Sequence, residues 1–377
     1  MQNIIYEYSE VKDEDLKKHI EDTPSLHKYF KLEWGKLKAR QYCGIINFNE
    51  NNYYILPKIS NKDKESNLNI FIYMLMKAYN IKLHNEDIAS CKNNTHSILE
   101  IFIQIFAHKL LFEFGRGTYK EYITKQDNLR VLRGKYLINE NLKYNFTHEK
   151  IYCEYDEFSE NNILNQFFLF ALKTLLNYTK NKKLLKQCEL VLNEVSVKNF
   201  DINSLQIEFN RLNARYKNSF ELALLLLRKS IPLFEKDKKS FAFLFDMNEL
   251  FENFIGNIYK SIDSSTNLQT TKIYGNLVLK PDILLSNIII DTKYKLVLNK
   301  DDLKTNDKYQ MFVYGTNFGI KNTMLLYPQH IHSVKEELVL GKGDKIVNMK
   351  MRSINLDFDS GYDEYIKEIQ NKIRNIN

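Results

Sequence analysis

Two short stretches of this sequence carry side chains able to do hydrolytic chemistry, Pro281-Asp282 and Asp291-Thr292-Lys293. Ser286-Asn287, a two-residue turn signal, separates them within the β-rich run 276–295. If those two residues close a hairpin, Leu285 faces Ile288, and Asp282 faces Asp291. Facing Cβ atoms of an antiparallel pair lie about 5 Å apart. Lys293 shares the face of Asp291, because side chains alternate along a strand. Two carboxylates in that position repel, and one takes up a proton unless a cation sits between them. Hard oxygen ligands with room for water suit Mg²⁺ or Mn²⁺ rather than zinc. A lysine beside such an ion can position a water or stabilise charge building on a phosphate. The set is equipment for metal-assisted hydrolysis of a phosphodiester.

An edge hairpin with a solvated polar face would show the same few residues, so the neighbouring elements decide. The run 246–260 reads as a helix with Met247, Leu250, Phe251, Phe254, Ile255 and Ile258 on one stripe. Glu252 lies at the margin of that stripe and Glu249 points away, which makes Glu252 the better candidate of the two for a third metal-ligating acid beside Asp282 and Asp291. Downstream, Gln310 and Tyr314 stand at i and i+4 on one face of a helix over 307–316, within reach of a phosphate or of Lys293.

The elements that position these residues follow from the pattern along 377 residues, a length that suggests two domains at roughly 150 residues each. Strands over 41–48 and 53–59 flank the turn cluster Asn49-Glu50-Asn51-Asn52. Buried helices are expected over 67–79 and, behind a capping box of Ser97 and Glu100, in the apolar run ending at Gly115. From 118 to 146 the chain turns basic and irregular, and helices follow over 161–176, 184–195 and 220–227. Asp156, Glu157 and Glu160 read as charges at a helix N-terminus, favoured by its dipole. A domain boundary is expected near 158, with strand–helix alternation from about 245 and a strand at 323–327. Net charge is +7, from 54 Lys+Arg against 47 Asp+Glu, which fits a nucleic-acid partner. The four cysteines are scattered without CxxC spacing, which excludes a disulfide scaffold and a thiolate zinc cluster. No apolar run approaches the ~20 residues of a membrane span, and the first residues lack the regions of a secretory signal. A reducing, cytoplasmic setting is expected.

The order of helix acid, Pro-Asp strand, Asp-x-Lys strand and Gln-xxx-Tyr helix resembles the PD-(D/E)xK nuclease superfamily, with Gln310 and Tyr314 similar to the QxxxY feature of its RecB-like branch. The resemblance extends to McrC, the nuclease subunit of McrBC-type modification-dependent restriction systems. FLFDMNELFENF, LKPDILL, IIIDTKYK, YQMFVY and LLYP carry it in the second half; YYILPKI, FGRGTYKEY, LRVLRGKY and CEYDEFSENNILNQ carry it in the first. It implies an α/β (α+β) chain: an N-terminal mixed α/β partner-binding domain over 1–158, then a helical segment and an αβββαβ core at about 243–330, with Thr270–Tyr274 as the first core strand. It also implies a DNA endonuclease using Mg²⁺, held by Asp282, Asp291 and Glu252. Lys293, Gln310 and Tyr314 would complete that site. The implied partners are duplex DNA and a separate McrB-like hexameric AAA+ GTPase ring, consistent with the lack of a GxxxxGK[ST] phosphate loop in this chain. Cutting both strands implies transient pairing of nuclease domains. The basic stretch Arg116–Lys135 falls where the family's N-terminal half stimulates the ring, making Arg116, Arg130 and Arg133 the candidates for that role. Two competing functions are a nuclease acting without a ring, and a non-catalytic adaptor that only activates the GTPase.

Overall fold

The structure, a computed structural model, describes residues 3–48, 51–59, 64–81, 98–147, 149–235, 238–329, 332–357 and 360–376. The chain divides into two compact units: Met1–Ile98 together with Ile231–Asn377, and Leu99–Ser230.

The first unit begins with β1 (Ile4–Tyr6), α1 (Glu14–Asp22), a hairpin of β2 (Phe30–Glu33) and β3 (Lys36–Ala39), the strands β4 (Tyr42–Phe48) and β5 (Asn51–Leu56), and α2 (Lys64–Ala78). As expected, β4 and β5 pair antiparallel, from Gly44↔Ile55 to Phe48↔Asn51; the expected turn residues Asn49 and Glu50 lie outside the described residues. The sheet is completed from far along the chain by β9 (Ser230–Glu235) and β10 (Lys238–Asp246), in the order β1–β5–β4–β10–β9. The backbone of β10 presses on Gly44, whose φ is +149°, and a Cβ there would stand 2.1 Å from the Phe243 carbonyl oxygen. Glycine alone permits that approach. In the β2–β3 hairpin, Glu33 pairs with Lys36 across a two-residue loop of Trp34 and Gly35 with φ of +52° and +74°. Positive φ at both positions defines a type I′ turn, which favours Asn-Gly. Trp34 adopts it at a cost of roughly 1 kcal/mol.

Beyond β10 come α8 (Met247–Ile262), β11 (Asn267–Leu268), β12 (Lys272–Tyr274), β13 (Leu277–Leu279), β14 (Ile283–Leu284), β15 (Ile289–Thr292), α9 (Thr305–Phe318), β16 (Asn322–Pro328), β17 (Lys335–Leu340), β18 (Val347–Ile354) and α10 (Tyr362–Ile376), numbering helices along the whole chain. A six-stranded sheet runs β11–β14–β15–β16–β18–β17. β15 is antiparallel to β14 and parallel to β16, so α9 is the crossover between parallel neighbours. All four residues of β15 are buried. Met311 and Tyr314 of α9 pack with Ile289, Leu325, Tyr327, Met349 and Met351, covering one face.

Two expectations change here. The strand at 272–274 does not join the large sheet; it pairs with β13 in a separate ladder, and β11 takes the sheet's edge beside β14. Pro281, which lacks an N–H, sits where the expected first hairpin arm breaks into β13 and β14. The residues after Lys335, which carry no motif, supply two strands of the sheet and a helix.

The second unit holds most of α3 (Ile98–Gly115), then β6 (Glu121–Leu129), β7 (Lys135–Tyr136), α4 (Ile138–Tyr144), β8 (Ile151–Ser159), α5 (Ile163–Leu175), α6 (Lys183–Val191) and α7 (Lys217–Lys229). The stretch expected to be irregular is therefore ordered, its strands forming a three-stranded sheet β6–β8–β7. Asp156 and Glu157 lie on β8 opposite Thr124 and Ile123, not in a helix's first turn; Glu157 pairs with Lys125. The capping box with Ser97 falls outside the described residues, and Glu100 instead accepts from Thr179 Oγ1 at 2.5 Å and from the amides of Lys180 and Asn181. A boundary at 158 would cut β8 and separate β10 from β4, so the compact units replace it.

Candidate active site

The hairpin register matches the spacing argument. Ile283 pairs with Ile290 and Leu284 with Ile289, and the Leu285 amide donates to the Ile288 carbonyl at 3.1 Å across Ser286-Asn287. The ladder ends at Ile283↔Ile290; one step further the same register would set Asp282 opposite Asp291, and the Asp282 charge acts on Asp291. Asp291 shares its strand face with Ile289 and so looks toward α9, which brings Gln310 to it.

Asp291 is 1% exposed. Its Oδ1 accepts from Gln310 Nε2 at 3.1 Å, and Lys293 Nζ stands 2.6 Å from Oδ2. Lys293 Nζ also donates to Gln310 Oε1 at 3.1 Å, and Gln310 Nε2 donates to the Tyr314 hydroxyl at 3.0 Å. Tyr314 in turn donates to the Lys280 carbonyl at 3.0 Å, next to Pro281-Asp282. The amide orientation follows from charge: its oxygen meets the ammonium and its NH₂ meets the carboxylate. The α9 pair thus ties both arms of the hairpin together. On the other arm, Asp282 Oδ2 accepts from the Thr292 amide at 2.7 Å and from Thr292 Oγ1 at 2.8 Å.

Glu252 comes in from α8, and of the two candidate acids it is the one that reaches Asp282; Glu249 is exposed. Gln269, left-handed at φ +49°, donates its side chain to Glu252 Oε1 at 2.6 Å and its backbone amide to the Asp282 carbonyl at 2.9 Å.

The electrostatics follow from this crowding. Burial, then the charge of Asp282, pushes Asp291 up to about 7 despite Lys293. Burial, then the same Asp282, pushes Glu252 up to about 7 as well. Burial alone would lower the Lys293 ammonium, but Asp291, Asp282 and Asp307 outweigh it and hold it above its ordinary value. Both raised carboxyls therefore hold their protons more tightly than free ones do.

Among the described residues no three His, Cys, Asp or Glu side chains are gathered closely enough to hold an ion as they stand. Glu252 reaches Asp282 instead, and Asp282 acts on Asp291 through its charge. Two observations fit a hard divalent cation there: the donors are carboxylate oxygens, and the buried Asp291 Oδ2 accepts no hydrogen bond, only the ion pair with Lys293. A cation among them would relieve the crowding of negative charge that raises Asp291 and Glu252.

Spacing missed several neighbours. Lys295 pairs with Asp307 on α9, and the Tyr294 hydroxyl donates at 2.5 Å to Glu7, a buried carboxyl just past β1. The alternation Asp291, Lys293, Lys295 was a signal for the first; nothing in the sequence links residue 7 to residue 294.

The arginines are not all brought together. Arg130 and Arg133 are exposed in the turn between β6 and β7, with the Arg133 guanidinium 4.3 Å from the centre of the Tyr155 ring. Arg116 precedes β6, whose nine residues span roughly 30 Å. Arg116 pairs with Glu113 at 3.2 Å, and its carbonyl accepts from Arg215. The first-half motifs have structural reasons. Tyr216 and Arg215 clasp the Gly117 carbonyl, while Asn162, the N-cap of α5, and Asn165 both donate to the Tyr119 carbonyl.

These features define a mixed α/β protein with a carboxylate–lysine centre on a buried hairpin. The chain belongs to the McrBC 5-methylcytosine restriction system component family, whose model matches residues 37–328, and within it is McrC-like. The fold is similar to that in a refined half-complex of Thermococcus gammatolerans McrB AAA+ hexamers with bound McrC. There the TM-score is 0.65 at 22% identity, covering 99% of each chain. It is also similar to a structure of the Thermococcus gammatolerans McrBC complex, with a TM-score of 0.52 at 26% identity, covering 68% of this chain and 86% of the other. No curated protein matches the chain with significance. Among the described residues no helix is long and apolar enough to cross a membrane.

Proposed function

We propose that this chain is the DNA endonuclease subunit of a modification-dependent restriction complex, hydrolysing phosphodiesters with Mg²⁺ or Mn²⁺ as a PD-(D/E)xK enzyme. The buried Asp291 facing Asp282, with Lys293 and Gln310 locked against it, carries this reading. Asp282 and Asp291 would hold the ion, with Glu252 as third acid. The metal would supply Lewis-acid charge and a more acidic bound water.

The chain's own residues do the rest. Lys293, held as an ammonium by the surrounding carboxylates, stabilises charge developing on the phosphate rather than acting as a base. Gln310 fixes Lys293 and Asp291 in one geometry, and Tyr314 anchors Gln310. Thr292 orients Asp282.

The partner in this reading is an McrB-like AAA+ GTPase ring in the cytoplasm, which recognises and moves the DNA. Its support is the family match and the exposed apolar surface of the second unit. Tyr122 is 74% exposed with its ring 5.1 Å from that of Phe158, and the exposed Val131 and Leu132 lie between Arg130 and Arg133. Adjoining exposed apolar side chains such as Tyr122 and Phe158 suit an interaction surface, and Arg130 and Arg133 are stimulating candidates in the same unit. The test is plasmid cleavage in Mg²⁺ by wild type and Lys293→Ala, each with and without the partner GTPase and GTP. Cleavage needing Lys293, partner and GTP is expected. Partner-independent cleavage would leave a solitary nuclease, and stimulated GTP hydrolysis without any cleavage an adaptor.

A further inference from the structure

The β2–β3 hairpin is built against its own folding preference. Trp34, the single tryptophan of the chain, occupies the first left-handed position of a type I′ turn and is 97% exposed. Leu32, near the end of β2 two residues before it, is 63% exposed. An outlier conformation that presents a bulky apolar ring to water calls for a function. The charge around it is one-sided. From Lys28 to Arg40 there are five cations, Lys28, Lys31, Lys36, Lys38 and Arg40, against the single acid Glu33. Lys31 and Lys36 keep more than half of their side-chain surface in solvent while pairing with Glu33 and Glu10.

The hairpin is also tied to the candidate active site inside one compact unit. β3 lies along residues 8–11, through bonds from the Tyr8 amide to the Ala39 carbonyl and from the Val11 amide to the Leu37 carbonyl. The preceding residue, Glu7, accepts from Tyr294, the neighbour of Lys293.

We infer that this hairpin is a second DNA contact, a basic two-stranded ribbon lying in a groove of the duplex, with Trp34 wedged against the bases. The inference rests on the nuclease reading above. A two-stranded ribbon fits the major groove of B-DNA, lysines hold flanking phosphates without reading sequence, and an apolar tip at the base steps adds stacking.

Because Trp34 is alone, its fluorescence reports on the hairpin directly. The experiment uses the full chain as the Asp291→Asn variant in EDTA, so that neither metal nor cleavage enters. A short labelled duplex is titrated while its anisotropy and the tryptophan emission are followed together. Saturable quenching in step with anisotropy is expected. Trp34→Asn, which suits the turn better and so keeps the fold, should weaken binding roughly tenfold, the scale of one stacked ring. Lys31→Ala with Lys36→Ala should flatten the dependence of log affinity on log salt by about two phosphate contacts. Binding without quenching, with unchanged affinity for Trp34→Asn, overturns the hairpin's role and leaves the nuclease reading intact. Equal quenching by polyglutamate overturns it in favour of an acidic protein surface. No binding of the duplex by any variant removes the DNA reading itself.

Discussion

Replacing Asp291 by Asn should make the metal-free protein more stable at alkaline pH, although it removes the centre of the site. In the folded chain the Asp291 carboxyl is pushed from 3.8 up to about 7, first by burial and then by Asp282. Below pH 4 both folded and unfolded chains hold the proton, and the group contributes nothing. Between about 4 and 7 the unfolded chain releases its proton while the folded one keeps it, so rising pH favours unfolding. Above 7 the penalty is fully developed. At about 1.4 kcal/mol for each tenfold change in protonation constant, it reaches about 4 kcal/mol. Asn mimics the protonated form and keeps an oxygen for Gln310, so most of that, about 2–4 kcal/mol, should return. At about 2–4 °C per kcal/mol in a unit of this size, melting at pH 8 in EDTA should rise by about 4–16 °C. Wild type and variant should converge toward pH 4. Adding Mg²⁺ should stabilise the wild type more than Asp291→Asn, because the variant keeps only two of the three carboxylates proposed to hold the cation. A variant that melts at or below wild type at pH 8 in EDTA would refute the burial-and-crowding account of this site.

The other expectations concern neighbouring parts. Gln310→Ala should keep the fold but lower cleavage by roughly 10- to 100-fold, as loss of a group orienting the site's ligands does; unchanged single-turnover cleavage would remove its role. Gly44→Ala, which drives a Cβ into the Phe243 carbonyl, should cost at least about 3 kcal/mol and abolish soluble expression; a variant melting like wild type would contradict the β4–β10 geometry. Arg130→Ala with Arg133→Ala should reduce stimulation of the partner GTPase while leaving the melting curve within about 0.5 kcal/mol of wild type, as exposed positions do. Arg116→Ala, which removes only a partly exposed pair with Glu113, should change stability by at most about 1 kcal/mol, and a larger loss of melting temperature would argue against that.

Legibility tracked how local the determining physics was. The Asp282–Asp291 register was readable because a two-residue turn and strict alternation fix which residues face each other. Glu252 was readable because the α8 stripe is strongly one-sided. Gln310 could be assigned to the site, yet its bridging between Asp291 and Lys293 depends on where α9 crosses β15, a tertiary fact. Gln269 and Glu7 were invisible for the same reason, since their partners are 17 and 287 residues away. The basic stretch 118–146 was misread as irregular because charge and exposed apolar residues mix along β6 and β7. That obscures the alternation by which a half-buried strand is recognised.

The misplaced boundary has a physical cause that also bears on how the protein works. A boundary drawn along the sequence assumes that each half buries its own strands, but the first sheet borrows β9 and β10 from beyond residue 229. β10 ends at Asp246, which caps α8, the helix that carries Glu252. The strand that closes the N-terminal sheet is therefore continuous with the helix that carries Glu252. Glu7, at the end of β1, is bonded to Tyr294 beside Lys293 from the opposite direction. Two covalent or hydrogen-bonded struts thus join the N-terminal sheet to the candidate active site, and the first 98 residues are part of the scaffold that sets its geometry. A fragment beginning at 159 would lose β4, the neighbour that orders β10, and with it the register from which α8 starts. In this chain the nuclease-like core and the N-terminal sheet are one folding unit, and Leu99–Ser230 is an insertion in its sequence.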